Sequence, residues 1–281
     1  MISIDRALIR ELYRPLNSAA SKWSRGHALI ISGSSGKIGA SILAASACMR
    51  TGAGMLTVHV PQCGEIPLHV SLPEAMLSLD ESKEDFSQVP ALDQYQVIGV
   101  GPGLGRSMET QEAFGELLHK AKVPMVIDAD GLNILSMNPD LLNKLPAGSV
   151  ITPHEREFQR LIGKDWKTIE DRDSLAKTFA KDHQLTLILK EQRTRLFCPD
   201  GEVYVNTFGN AGLSKAGNGD VLTGIITGLM AQGYHAKNAC LLALYIQGVS
   251  ADSSVKYQAM ESLMATDVIC GIGSAIKTLS T

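Results

Sequence analysis

Short apolar runs alternate along this chain with longer segments whose apolar positions recur at helical spacing. His27–Gly33, Met55–Val60, Val97–Gly101, Met125–Asp128, Ser149–Thr152 and Thr186–Lys190 read as buried strands. Between them, Gly39–Arg50, Glu109–Lys120 and Asp171–Asp182 read as helices, the first rich in alanine and so suited to close packing against the sheet. Thr194–Cys198 and Glu202–Val205 flank Asp200-Gly201, a hairpin signal. From Asp220 onward the pattern is almost entirely helical. Such alternation predicts an α/β fold with a mostly parallel sheet covered on both faces. Ligands gather outside the carboxyl ends of the strands in such sheets. Residues 1–24 read as a leading helix and connector, and residues 25–281 as one domain.

Composition narrows the function classes. A chain of 281 residues with net charge -3 gives no reason to expect nucleic acid or an anionic membrane as partner. The N-terminus lacks the order of a signal peptide, and no apolar run is long enough to span a bilayer. The five scattered cysteines (Cys48, Cys63, Cys198, Cys240, Cys270) form no Cys-x-x-Cys pair and suggest reduced thiols in a cytoplasmic protein.

The densest chemical signal is Gly209-Asn210-Ala211-Gly212-Leu213-Ser214-Lys215-Ala216-Gly217-Asn218-Gly219-Asp220, followed at once by an apolar helical run. A glycine-rich loop that opens a helix aims several unpaired backbone N–H groups at one point. The helix dipole adds partial positive charge there, so the place suits phosphate. Asp220 falls in the first turn, as a candidate base for a hydroxyl about to meet a phosphoryl group, or as a helix cap. The glycines favour the first reading, since glycine is costly unless backbone must approach something closely.

Other motifs follow strands. Gly33-Ser34-Ser35-Gly36-Lys37-Ile38-Gly39 matches neither a P-loop nor the dinucleotide fingerprint, and is a ligand-side turn or a tight turn only. Ala40 after it would let a ligand approach the helix start. Gly101-Pro102-Gly103-Leu104-Gly105 offers backbone access or simply a rigid turn. Asp128 and Asp130 either hold Mg²⁺ through water or cap the next helix. Thr152-Pro153-His154 places His154 at a strand end, and Glu157 lies in the next first turn, facing metal-bound phosphate or favoured there by the dipole. Lys190 ends a buried strand as a point charge for phosphate or as an edge lysine in solvent.

Taken in order, these motifs make the chain resemble the ADP- or ATP-dependent NAD(P)H-hydrate dehydratases of the ribokinase-like superfamily, from about Arg25 to Ser274. The motifs that carry the likeness are Gly39-Ala40, Arg50-Thr51-Gly52-Ala53-Gly54, Gly101–Gly105, Asp128–Asn133, Thr152-Pro153-His154 and Gly217–Ile225. The resemblance implies a three-layer α/β sandwich. It also implies repair of the S-form of hydrated NADH and NADPH, in which phosphorylation turns a poor leaving hydroxyl into phosphate and elimination restores the reduced cofactor. Carried over, Asp220 is the base. Ala40, Gly103, His154 and Asp220 contact the hydrated dinucleotide. Lys190, Glu191, Gln192, Arg193, Thr194, Asn218 and Gly219 bind nucleotide, and Glu157 lies near Mg²⁺. ADP is the expected donor, with ATP possible in the family. A homotetramer and a separate epimerase are expected as well.

The chain departs from the family pattern at four positions. Glu191 replaces a usual Gly and brings a side chain and a negative charge to the nucleotide site. Ala211 replaces Pro, which is expected to loosen its loop. Lys215 stands where Thr is common, either on phosphate or in solvent. Arg156 replaces a Gly beside His154. The runner-up reading is a kinase of a hydroxymethyl or hydroxyethyl vitamin precursor, which shares the fold. A third is a catalytically silent nucleotide-binding relative.

Overall fold

The computed structural model describes residues 1–280. Ten strands form one sheet: β1 (Ile2–Ser3), β2 (His27–Ile31), β3 (Met55–Val60), β4 (Met76–Leu79), β5 (Val97–Val100), β6 (Met125–Ile127), β7 (Val150–Ile151), β8 (Thr186–Leu189), β9 (Arg195–Phe197) and β10 (Val203–Val205). Their order across the sheet is β1-β10-β9-β8-β7-β6-β5-β2-β3-β4. All neighbours are parallel except β8–β9 and β9–β10, and the latter is the expected hairpin about Asp200-Gly201.

Strand side chains alternate between two cores. Ala28, Ile30 and Val126 face one, and Leu29, Ile31, Met125 and Ile127 face the other. The first core is covered by α2 (Ile38–Thr51), α8 (Asn218–Ala231), α9 (Ala236–Ser254) and α10 (Ala265–Lys277). The second is covered by α4 (Met108–Lys120), α5 (Ala129–Met137), α6 (Glu155–Ile162) and α7 (Ile169–Asp182). This is the expected three-layer sandwich with a mostly parallel sheet.

The alanine-rich α2 spends its small side chains mainly on a helix neighbour. A Cβ at Gly224 would lie 2.1 Å from the Ala44 carbonyl oxygen, and one at Gly228 2.7 Å from that of Cys48. The two glycines therefore let the backbones of α2 and α8 touch. Val221 to Ala231 is buried on every side, which explains why that segment is apolar throughout rather than on one face.

Three elements carry too little pattern to stand out in the sequence. They are β1, the edge strand β4, and α3 (Glu65–Ser71). Residues 1–24 hold β1 and α1 (Arg6–Leu12); Ile4 and Ile9 are fully buried in the first core. No helix among the described residues is long and apolar enough to cross a membrane.

Candidate active site

The glycine-rich loops meet along the carboxyl ends of the strands. The Gly33 amide donates to the Pro102 carbonyl at 2.8 Å, and Ser34 Oγ donates to the Gly103 carbonyl at 2.8 Å. Gly103 holds φ +60°, and a Cβ on it would lie 3.0 Å from Ala40 Cβ. Ala40 and Gly103 thus face each other across the two loops. Asp130 ties the two loops together, accepting from the Gly105 amide at 3.0 Å and from Lys37 Nζ at 3.1 Å.

His154 and Lys190 stand side by side. They form a parallel bridge, with the Lys190 amide donating to the Pro153 carbonyl at 2.8 Å. His154 caps α6: its Nδ1 accepts from the amides of Arg156 and Glu157 at 3.1 and 3.3 Å, and Glu157 Oε2 accepts from the His154 amide at 2.8 Å. An accepting Nδ1 places the proton of the neutral ring on Nε2. Burial holds His154 below the ordinary imidazole range against the pull of Glu157, and Lys190 lowers it further. His154 is therefore a neutral ring with its proton on Nε2, which lies 3.5 Å from Glu157 Oε1. The Glu157 carboxylate is committed to this capping box and buried.

The anion loop opens α8 through Gly217, whose φ of +93° requires glycine. Its residues border a cavity of about 910 Å³. Lys190 to Thr194 form one wall, and Asn218, Gly219 and Leu222 another. Phe208, Leu244, Gln247 and Gly248 are also on its lining. All seven residues expected to bind nucleotide thus border one space, of a size that suits a nucleotide. Gln247 and Phe208 were not expected there; they come from α9 and from the loop after β10, where no local motif marks them.

Asp220 does not border that cavity. It follows Gly219, partly exposed, with Asp128 and Lys190 as its charged neighbours. Burial pushes its carboxyl up to about 7. The nearby Asp128 charge adds to this rise and Lys190 opposes it. A carboxyl poised near neutrality suits a general base. Asp128 does not cap α5, one of the two roles left open for it. It accepts from Lys190 Nζ at 2.6 Å and from Thr223 Oγ1 at 3.1 Å.

The four departures find their places. The Glu191 carboxylate is held by Arg172, at 2.9 Å through each terminal nitrogen, and by Arg195 at 2.7 Å. Arg172 is itself 1 % exposed. Glu191 thus reaches the cavity wall as a paired carboxylate rather than a free charge. The loop bearing Ala211 is not loose, because Asp252 accepts from the Gly209 amide at 2.9 Å and from Asn210 Nδ2 at 3.0 Å. Lys215 donates to the Glu261 carbonyl, and Arg156 is exposed.

No three His, Cys, Asp or Glu side chains among the described residues converge as a metal cage. With Glu157 and Asp128 both engaged, the residues present do not fit a Mg²⁺ ion held by protein alone.

A family model described as NAD(P)H-hydrate dehydratase matches residues 28–273. The chain belongs to the NAD(P)H-hydrate dehydratase family. Within the family, it is 37% identical over 237 residues to the ADP-dependent (S)-NAD(P)H-hydrate dehydratase of Neisseria meningitidis, covering 82% of this chain and 78% of that protein. It is 38% identical over 253 residues to the bifunctional NAD(P)H-hydrate repair enzyme Nnr of Moorella thermoacetica, covering 87% of this chain and 48% of that one. The chain spans about half the length of such bifunctional relatives. The crystal structure of the ADP/ATP-dependent NAD(P)H-hydrate dehydratase from Bacillus subtilis, co-crystallised with ATP/Mg²⁺, superposes with a TM-score of 0.83 at 26% identity, covering 99% of this chain and 98% of that one. Arabidopsis thaliana ribokinase, at 12% identity and a TM-score of 0.58 over 88% of this chain and 98% of its own, shares the fold alone.

Proposed function

We propose that this chain is a hydro-lyase that restores NADH and NADPH from the S-form of their hydrates, using ADP as phosphoryl donor and releasing AMP and phosphate. One observation carries the reading. Gly219, at the open N-terminus of α8, borders a nucleotide-sized cavity, and the next residue is a carboxyl poised near neutrality beside Lys190.

In this reading Asp220 takes the proton of the substrate hydroxyl as its oxygen bonds to the terminal phosphorus of the nucleotide. The bond from that phosphorus to the leaving AMP breaks. Backbone amides about Gly219 and the Lys190 ammonium receive the charge that spreads over the phosphoryl oxygens. Phosphate then leaves the ring carbon with loss of a ring proton, and the double bond returns. Ala40 and Gly103 give the dinucleotide close access to backbone, and His154 offers its Nε2–H. Mg²⁺ belongs to this reading as an ion carried on the nucleotide phosphates, where it neutralises charge.

A homotetramer and cytoplasmic residence complete the proposal. The vitamin-precursor kinase reading is not favoured, because the matched family is described by hydrate chemistry.

The test is incubation of purified protein with hydrated NADH, Mg²⁺ and either ADP or ATP. Restored near-ultraviolet absorbance, with AMP appearing when ADP is supplied, supports the reading. A phosphorylated product without restored absorbance sinks it in favour of the kinase.

A further inference from the structure

Asp128 stands where a helix cap belongs and does not cap. It precedes α5, makes no side-chain bond to that helix, and is 1 % exposed. Its two oxygens go instead to Lys190 at 2.6 Å and Thr223 at 3.1 Å. The arrangement carries a structural cost. Ala129 next to it holds φ +50°, a left-handed conformation that costs an alanine on the order of 1 kcal/mol. Gly101 is confined to glycine, since a Cβ there would lie 1.9 Å from the Asp128 carbonyl oxygen. A buried ion pair returns little net stability, because desolvating both charges offsets their attraction. What it returns is position. A methyl group at Gly219 would lie 3.3 Å from Asp128 Oδ2 and 3.4 Å from Lys190 Nζ, so the pair is seated against the first turn of α8.

We propose that Asp128 is a positioning residue of this site: it holds the Lys190 ammonium at Gly219, where phosphoryl charge arrives, and stations a second negative charge beside Asp220. The inference rests on the reaction proposed above and deepens it. Thr223, at the next turn of α8, fixes the other carboxylate oxygen. The charged groups acting on Asp220 are Asp128 from the end of β6, which disfavours its ionised form, and Lys190 from the end of β8, which favours it. His154 adjoins the same pair and is itself flanked by Glu157 and Arg160 of α6.

The two neighbours therefore pull Asp220 in opposite directions, which gives a test with signs. The Asp220 carboxyl is titrated by carbon NMR in the intact, substrate-free chain, and the pH profile of kcat/KM is recorded alongside. Asp128→Asn moves the Asp220 midpoint down by about one pH unit, and Lys190→Met moves it up by a similar amount. Asp128→Asn also lowers kcat at least ~tenfold while changing the KM for nucleotide by less, since the cation is still present but no longer placed. If melting shows that Asp128→Asn does not fold, Lys190→Met together with Thr223→Val, which frees the carboxylate to turn, decides on the same titration. Unmoved midpoints, or shifts of one sign in both charge variants, overturn the proposal. The titration needs no substrate. Opposite shifts in a protein that restores no NADH would keep this arrangement and remove the reaction assigned above.

Discussion

At the scale of single residues, the site turns on one acid whose surroundings hold its proton near neutrality. In the proposed reaction Asp220 is a base, and it can act so only when ionised. The rate is therefore expected to fall as pH drops through about 7, as an acid limb in kcat/KM. The same raised value has a stability sign. The unfolded chain releases this proton near the ordinary carboxyl range, about 4. Between there and about 7 the folded state holds a proton that the unfolded state gives up, so stability declines with rising pH across that window and stays reduced above it. Asp220→Asn is accordingly expected to lose turnover by ~10³-fold or more while melting at a higher temperature than the parent at pH 8 and with little change at pH 4. Near-normal turnover in that variant would refute the base assignment. Much of this was legible beforehand, because a glycine-dense helix start and the carboxylate after it are adjacent in sequence. The partners of Asp128 were not. Lys190 and Thr223 come from elements 62 and 95 positions away, and no local pattern marks such a meeting.

At the scale of elements, Arg172 shows how an apparent defect is absorbed. The carboxylate at position 191 is matched by a guanidinium buried on α7, and Arg195 of β9 closes the arrangement. Glu191→Gly leaves that buried cation with Glu155 and Asp173 alone. It is expected to cost about 2 kcal/mol in denaturant unfolding without weakening nucleotide binding. Arg172→Met does the reverse to the site: it leaves the Glu191 carboxylate beside the cavity with Arg195 as its remaining ion-pair partner. Nucleotide affinity, read by calorimetry, is expected to fall several-fold. The contact of α2 with α8 is the other decisive element pair. Gly224→Ala sets a methyl group against the Ala44 carbonyl, which is backbone and cannot turn aside. A loss of about 3 kcal/mol in unfolding is expected, together with reduced turnover as the two helices part.

For the whole molecule, the six parallel strands from β2 to β8 that read as apolar runs were recoverable because each is buried on both faces and bounded by turns. The strands that escaped notice are the two at the edges of the sheet. β1 has two residues and pairs with β10, about two hundred positions later. β4 lies at the sheet edge, half in solvent, where alternation is weak. Deleting residues 1–12 is expected to lower the melting temperature by ~10 °C or more, because Ile4 and Ile9 are core and the outer hairpin loses its neighbour strand. The glycine seam between α2 and α8 has a further consequence for motion. α2 carries Ala40 and α8 carries Asp220, so these two residues ride on one stiff girder whose halves are locked by backbone contact. A ligand reaching both Ala40 and Asp220 would therefore meet two points whose spacing is set by backbone touching backbone rather than by side chains that can turn.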